Sequence, residues 1–214
     1  MSFIVTANAR EIDPRNPQRD DITIEMLAHS MAQINRFTGH ASRPYSVAEH
    51  SLLVCEIAER ELRLDVWGLF AALMHDAHEA LCGDMHSPGK GVLGAPWYAW
   101  EFTCSSAVRS AFALWSGSAE NRDEIKLADE IALATERAQL MPKTPSPWPV
   151  IERLPYEYRR GVAWVDLRAP ERERMTWRDW RDRFEDKAGE LEFGRQQRAE
   201  LIVGIEPTSR RTGD

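Results

Sequence analysis

His75 and Asp76 stand side by side in the otherwise apolar run FAALMHDAHEAL, with His50 upstream in YSVAEHSLLV and Asp129 downstream in IKLADEIAL. Two imidazoles and two carboxylates make an N,N,O,O donor set that can bind one divalent ion and leave coordination positions for water and substrate oxygens. Mn²⁺, Fe²⁺, Co²⁺, Mg²⁺ and Zn²⁺ all accept such donors, so softness does not choose among them. An uncompensated charge is costly to bury in an apolar stretch, and one bound cation would account for Asp76 and Asp129 together. Glu79 follows His75 by four residues, which on a helix puts both on one face and places Glu79 near the coordination sphere.

The elements that must position these residues read as helices. Residues 24–37 carry Ile24, Leu27, Ala28, Met31 and Ile34 at helical spacing. Ser46 and Glu49 match a capping box, so a second helix is expected to begin at Val47 and carry His50. A third is expected over 65–81, with Gly83 stopping it and GDMHSPGKGVLG following as a loop. A fourth is expected over 97–115, GSAEN separates it from a fifth over 122–140, and the fifth presents Ile125, Ala128, Ala132 and Thr135 on one side. Helices with short joins predict an all-α core.

Composition shifts after residue 140. MPKTPSPWP leaves the helical regime, and Trp148 favours a strap across the core over a free linker. GVAWVDL, residues 161–167, is a short β-like run without a visible partner. Thr176 is expected to cap a last helix to about residue 200, and the tail SRRTGD is expected to be disordered. The division predicted is a catalytic helical domain over 1–140 and a C-terminal extension over 141–214.

At 214 residues the chain can bury roughly 70% of its unfolded surface without a covalent staple. Its three cysteines, an odd number, fit a reducing compartment, and a cytoplasmic location is the simplest expectation. No run of about 18 apolar residues predicts a membrane span, and the first residues do not resemble a signal peptide. With 34 acidic against 27 basic residues, a net charge of -7, the overall field opposes a long polyanion such as DNA or RNA. The cluster Arg172, Arg174, Arg178, Arg181 and Arg183 is interleaved with acids and reads as a solvated helix surface.

The order His50, His75-Asp76, Asp129 resembles the HD-domain metal-dependent phosphohydrolase superfamily. INRFTG, YSVAEHSLLV, HDAHEALCGDMHSPGK and KLADEIAL are most similar to bacterial 5'-deoxynucleotidases and to phage deoxynucleotide phosphohydrolases, and the joined pattern HDxxEAxxGDxxxP is far more specific than HD alone. The resemblance covers residues 24 to about 140. It implies a compact helical bundle that usually dimerises, with His50, His75, Asp76 and Asp129 as ligands of one divalent ion. It also implies Glu79 as acid/base, Asp84 as a second catalytic carboxylate and Arg36 as a phosphate ligand. Phe37, His40, Arg43 and Lys90 form a reserve set for contacts to phosphate, sugar or base.

His78 and His86 read as neighbours of the site, and Trp97, Tyr98 and Trp100 as core residues that could instead stack on a base. The preferred reaction is hydrolysis of a deoxynucleoside 5'-monophosphate to deoxynucleoside and phosphate. That preference rests on the few cations visible beyond the metal site, which are Arg36, Arg43, Lys90 and Lys126. The alternatives are release of triphosphate from a deoxynucleoside triphosphate, for example dATP, and a nucleotide-sensing metal-binding module without turnover. A single-strand nuclease is disfavoured by net charge.

Overall fold

The computed structural model describes residues 3–203, and the expected disorder of SRRTGD lies outside them. The all-α expectation holds. Eleven α-helices make up the described architecture, and a two-residue hairpin, Ile4–Val5 (β1) against Glu11–Ile12 (β2), is the small β element that the sequence did not announce.

The centre is built by α2 (Val47–Arg60), α3 (Val66–Leu73) and α8 (Arg122–Gln139), which pack on one another. Ser46 starts α2 as expected, its hydroxyl accepting from the Glu49 amide at 3.2 Å. The reciprocal half of the box does not form. Glu49 is fully buried and accepts from both guanidinium nitrogens of Arg43 at 2.7 and 2.8 Å and from Arg172 at 2.9 Å. A charge-assisted fork is a stronger partner than one orphan amide, so the carboxylate turns toward the arginines. Arg172, expected on a solvated face, is thereby drawn inward on α10 (Pro170–Arg174).

Two expected helices are shorter than predicted. The first, α1, spans Ile24–Met31 and is followed by a 3-10 turn, Arg36–Gly39, in which Phe37 and Thr38 have φ of 56° and 53°. The third ends at Leu73 because Met74 adopts ψ near 4° and the His75 imidazole takes the Ala72 carbonyl at 2.8 Å. A chain of i to i+3 turns then leads into α4 (Glu79–Cys82). His75 and Glu79 therefore lie on either side of a turn rather than along one helix.

Two expected joins are helical. GDMHSPGKGVLG contains α5 (Ser87–Leu93), where His86 accepts the Gly89 amide on Nδ1 at 2.9 Å and Pro88 occupies the first turn, a position that tolerates proline. The fourth helix, α6, spans Ala95–Ala111, and the expected separator GSAEN falls in α7 (Trp115–Glu120).

The segment beyond residue 140 shares the core. Trp148 packs at 6.2 Å from Phe37, and α9 (Pro149–Glu152) follows it against α8. GVAWVDL forms no strand. It runs as an irregular strap with a bend at 163–164, whose Val162 amide donates to Thr135 and whose Leu167 amide and Val165 carbonyl bond Gln139, both partners lying on α8. Gly161 has φ of 72° at a point where any side chain would collide with the Thr135 backbone, so glycine is required there. The last helix, α11 (Trp177–Val203), buries Trp180, Phe184, Ala188 and Leu191 against α1, α2 and α3.

Glu49 fastens this extension to the core, since Arg43 also donates to the Leu167 carbonyl at 2.8 Å. Glu49→Ala would strand Arg43 and Arg172 without their counter-charge, and an expected loss of about 3–5 kcal/mol should appear in urea unfolding. A loss under about 1 kcal/mol would mean that the clasp behaves as an exposed pair.

Candidate functional site

His50 is fully buried on α2, and its ring is held from behind. Nδ1 lies 2.6 Å from Glu136 Oε1 on α8. His75 is held in the same way, with Nδ1 2.8 Å from the Ala72 carbonyl, which can only accept. With a proton on each Nδ1, both neutral rings turn an Nε2 lone pair inward, and the two Nε2 atoms are 3.3 Å apart.

Two carboxylates meet them. Asp76 Oδ2 lies 3.1 Å from His75 Nε2 and 3.5 Å from His50 Nε2, while Asp129 Oδ1 lies 3.2 Å from His50 Nε2 and 3.9 Å from His75 Nε2. Ligand bonds of about 2.0–2.2 Å to a common ion place neighbouring ligand atoms roughly 3–4 Å apart. The His50–His75–Asp76 group could hold a metal ion, and Asp129, with 40% of its side chain exposed, stands at its solvent side.

Acidic groups dominate the electrostatics of the two residues at the centre. Burial and Arg36 push the His50 imidazole down, yet Glu136, Asp129 and Asp76 outweigh them and hold it well above the ordinary histidine range. Burial likewise works to raise Asp76, but His75 and His50 carry it well below the carboxylate range.

Three further predicted residues adjoin the cluster. Arg36 is partly buried, with 11% of its side chain exposed, Nη1 3.5 Å from Asp76 and Nη2 3.3 Å from Glu136, and its Nε has no partner. Glu79 is 3% exposed, its Oε2 has no partner, and burial together with Asp76 and Asp84 pushes its carboxyl well above the usual range. Asp84 follows α4 through Gly83 at φ 80°; burial and Asp76 raise it despite Arg36.

The reserve residues diverge. Lys90 on α5 is 2.5 Å from Glu101; burial works to lower its pKa, but Glu101, with smaller contributions from Glu79 and Asp76, raises it. Arg43 turns its donors to Glu49, Pro44 and Leu167, in the clasp described above. Phe37 packs on Trp148, and His40 is exposed beyond the 3-10 turn. His78 lies 3.8 Å from Glu101, and His86 caps α5. Trp97 and Trp100 pack edge to face at 5.5 Å, with Trp100 donating to the Pro14 carbonyl, while Tyr98 is half exposed.

Beside His75 and Asp129 opens a cleft of about 220 Å³ whose lining includes Arg109, Arg122, Lys126 and Ser118. Neither Arg109 nor Arg122 was singled out by sequence reasoning, nor was Glu136. A signal existed in their spacing: Arg122, Asp129 and Glu136 follow one another at seven residues on α8, which is close to two turns.

These features define a helical protein with a partly buried histidine–aspartate centre opening on a cleft lined in part by Arg109, Arg122 and Lys126. No protein-family model matches the chain. It is 37% identical over 155 residues to the uncharacterized protein YfdR of Escherichia coli, covering 72% of this chain and 82% of YfdR. An uncharacterized protein of Rhodobacter capsulatus is 36% identical over 138 residues, covering 62% of this chain and 70% of that one. The chain belongs to the family of YfdR. Among the described residues no helix is long and apolar enough to cross a membrane.

Proposed function

We propose that this protein is a metal-dependent phosphohydrolase that cleaves the 5'-phosphoester of deoxynucleotides. The observation that carries the reading is the convergence of two Nε2 lone pairs and two carboxylate oxygens beside a cleft lined by cations. The sequence resemblance to HD-domain enzymes supplies the substrate class.

His50, His75, Asp76 and Asp129 would hold the ion. When bound, a divalent ion supplies Lewis acidity toward a phosphoryl oxygen and lowers the pKa of water. Glu79 has an unpartnered oxygen in a buried setting, so it can accept the proton of the attacking water and return one to the leaving O5'. Arg36 offers N–H donors to the phosphoryl oxygens as negative charge builds on them. Water adds to phosphorus, the phosphorus–O5' bond breaks, and O5' leaves with a proton as the nucleoside hydroxyl. A purely structural ion would not require Glu79 and Asp84 at its side, which disfavours a module without turnover.

The same bond breaks whether one phosphate or three are attached. The cations visible in the sequence favoured the monophosphate. Arg43 is engaged by Glu49, however, while Arg109, Arg122 and Lys126 line the cleft next to His75 and Asp129, and this favours the triphosphate as a second reading. A panel of deoxy- and ribonucleotides at each phosphorylation level, with Mn²⁺, Co²⁺, Mg²⁺ and Zn²⁺, tests both. The expected outcome is deoxynucleoside together with phosphate from monophosphates or intact triphosphate from triphosphates. Absence of either product with every metal would end the proposal.

A further inference from the structure

We infer that Glu136 is a positioning residue that fixes two site groups at once, holding His50 with Nε2 toward the metal cluster and anchoring Arg36 beside it. The inference rests on the metal-dependent reading above and assigns one residue the task of building that site.

Glu136 is fully buried on α8, seven residues beyond Asp129 and on nearly the same face. One helix thus presents a ligand and, two turns on, the carboxylate that steadies another ligand. Among the described residues its side-chain hydrogen bonds go to three groups. Oε1 accepts from His50 Nδ1 at 2.6 Å and from the Tyr45 hydroxyl at 3.0 Å, and Oε2 accepts from Arg36 Nη2 at 3.3 Å. Two of the three, His50 and Arg36, are residues of the proposed site.

The hydrogen-bond arithmetic gives this placement its consequence. A carboxylate can only accept, so it draws the His50 proton to Nδ1 and leaves Nε2 free to ligate. The same charge balances Arg36, whose other arm reaches Asp76 at 3.5 Å, so the guanidinium bridges Glu136 and a metal ligand. An amide of equal size cannot do both. With its oxygen toward His50, its NH₂ would face the Arg36 donors; turned over, its NH₂ would face Nδ1 and force the proton onto Nε2, where the ion belongs.

Mn²⁺ titration calorimetry on wild type, Glu136→Gln and Tyr45→Phe tests the assignment. The Gln variant is expected to bind Mn²⁺ about 10–100-fold more weakly. Tyr45→Phe removes a donor to the same oxygen but touches no proposed ligand, and it is expected to stay within about threefold of wild type. Wild-type affinity in the Gln variant, or an equal loss in Tyr45→Phe, would overturn the inference. A second measurement does not depend on a variant folding: ¹⁵N spectra of the Zn²⁺-loaded wild type should show His50 protonated at Nδ1 and ligating through Nε2, and the reverse assignment would overturn it. Wild type that binds neither ion would remove the metal-dependent reading and this inference together, whereas normal wild-type binding with an unaffected Gln variant removes this inference alone.

Discussion

Asp76→Asn is expected to eliminate divalent-ion binding and to lower kcat/KM by at least about 10³-fold, because the variant loses both Lewis acidity and activated water. Asp76 is the carboxylate closest to the whole centre, within 3.5 Å of His50, His75 and Arg36. An amide halves the formal negative charge of the ligand set and can present its NH₂ to the imidazoles. Melting with and without Mn²⁺ supplies a readout apart from turnover. At an ion concentration of about 100 times Kd, wild type should gain roughly 2.7 kcal/mol and the variant nothing.

The variant should also be less stable without metal. Asp76 is held well below its ordinary value of 3.8 in the folded chain, so the unfolded chain takes up protons first as the pH falls. Its contribution is present above that value and disappears as the pH drops through the depressed one. Wild type should therefore exceed Asp76→Asn at neutral pH, with the gap closing in strong acid. An Mn²⁺-dependent gain in the variant equal to that of wild type would show that Asp76 is not a ligand.

Helices with one clean apolar stripe are legible in the sequence. The fifth expected helix, 122–140, matches α8 to within one residue because Ile125, Ala128, Ala132 and Thr135 give it one continuous buried side. Where the backbone leaves the helix inside an apolar run, periodicity misleads. The apolar pattern through 65–81 is continuous, yet the His75 imidazole bonds Ala72 and the chain tightens into turns. The strap at 161–167 failed for another reason: alternation marks extended backbone in general, and its hydrogen-bond partners, Thr135 and Gln139, are side chains of a helix remote in sequence.

The proposed ligands were conspicuous because they are charges inside apolar runs. Glu136 was not, since ATERAQ near the end of α8 reads like any polar helix end. Only the fold reveals that this turn of α8 faces α2, where the carboxylate meets His50. Arg43 shows the converse case. In GHASRPY it resembles a free cation near the site, but Glu49, which a capping box would have directed to an amide, captures it instead. The exchange of partners by Glu49 changed two expectations at once.

Glu79→Gln separates chemistry from metal binding and stability. Glu79 lies three residues past a ligand, is 3% exposed and has Oε2 without a partner, so the neutral amide should leave Mn²⁺ affinity and KM within a few-fold. Loss of the proton carrier should lower kcat by about 10²–10⁴-fold. In the metal-free protein the same change should stabilise. Burial, Asp76 and Asp84 hold the Glu79 carboxyl well above its ordinary 4.5, so the folded chain keeps a proton that the unfolded chain releases. Wild-type stability must then fall as pH rises from 4.5 through the raised value, a loss that glutamine cannot incur. Urea unfolding at about pH 8 should find the variant more stable than wild type, and the difference should vanish below about pH 4. Full turnover in the metal-loaded variant would remove Glu79 from the mechanism. A variant less stable at pH 8 would show that its carboxylate has a partner, and that the site does not hold an acid at the expense of stability.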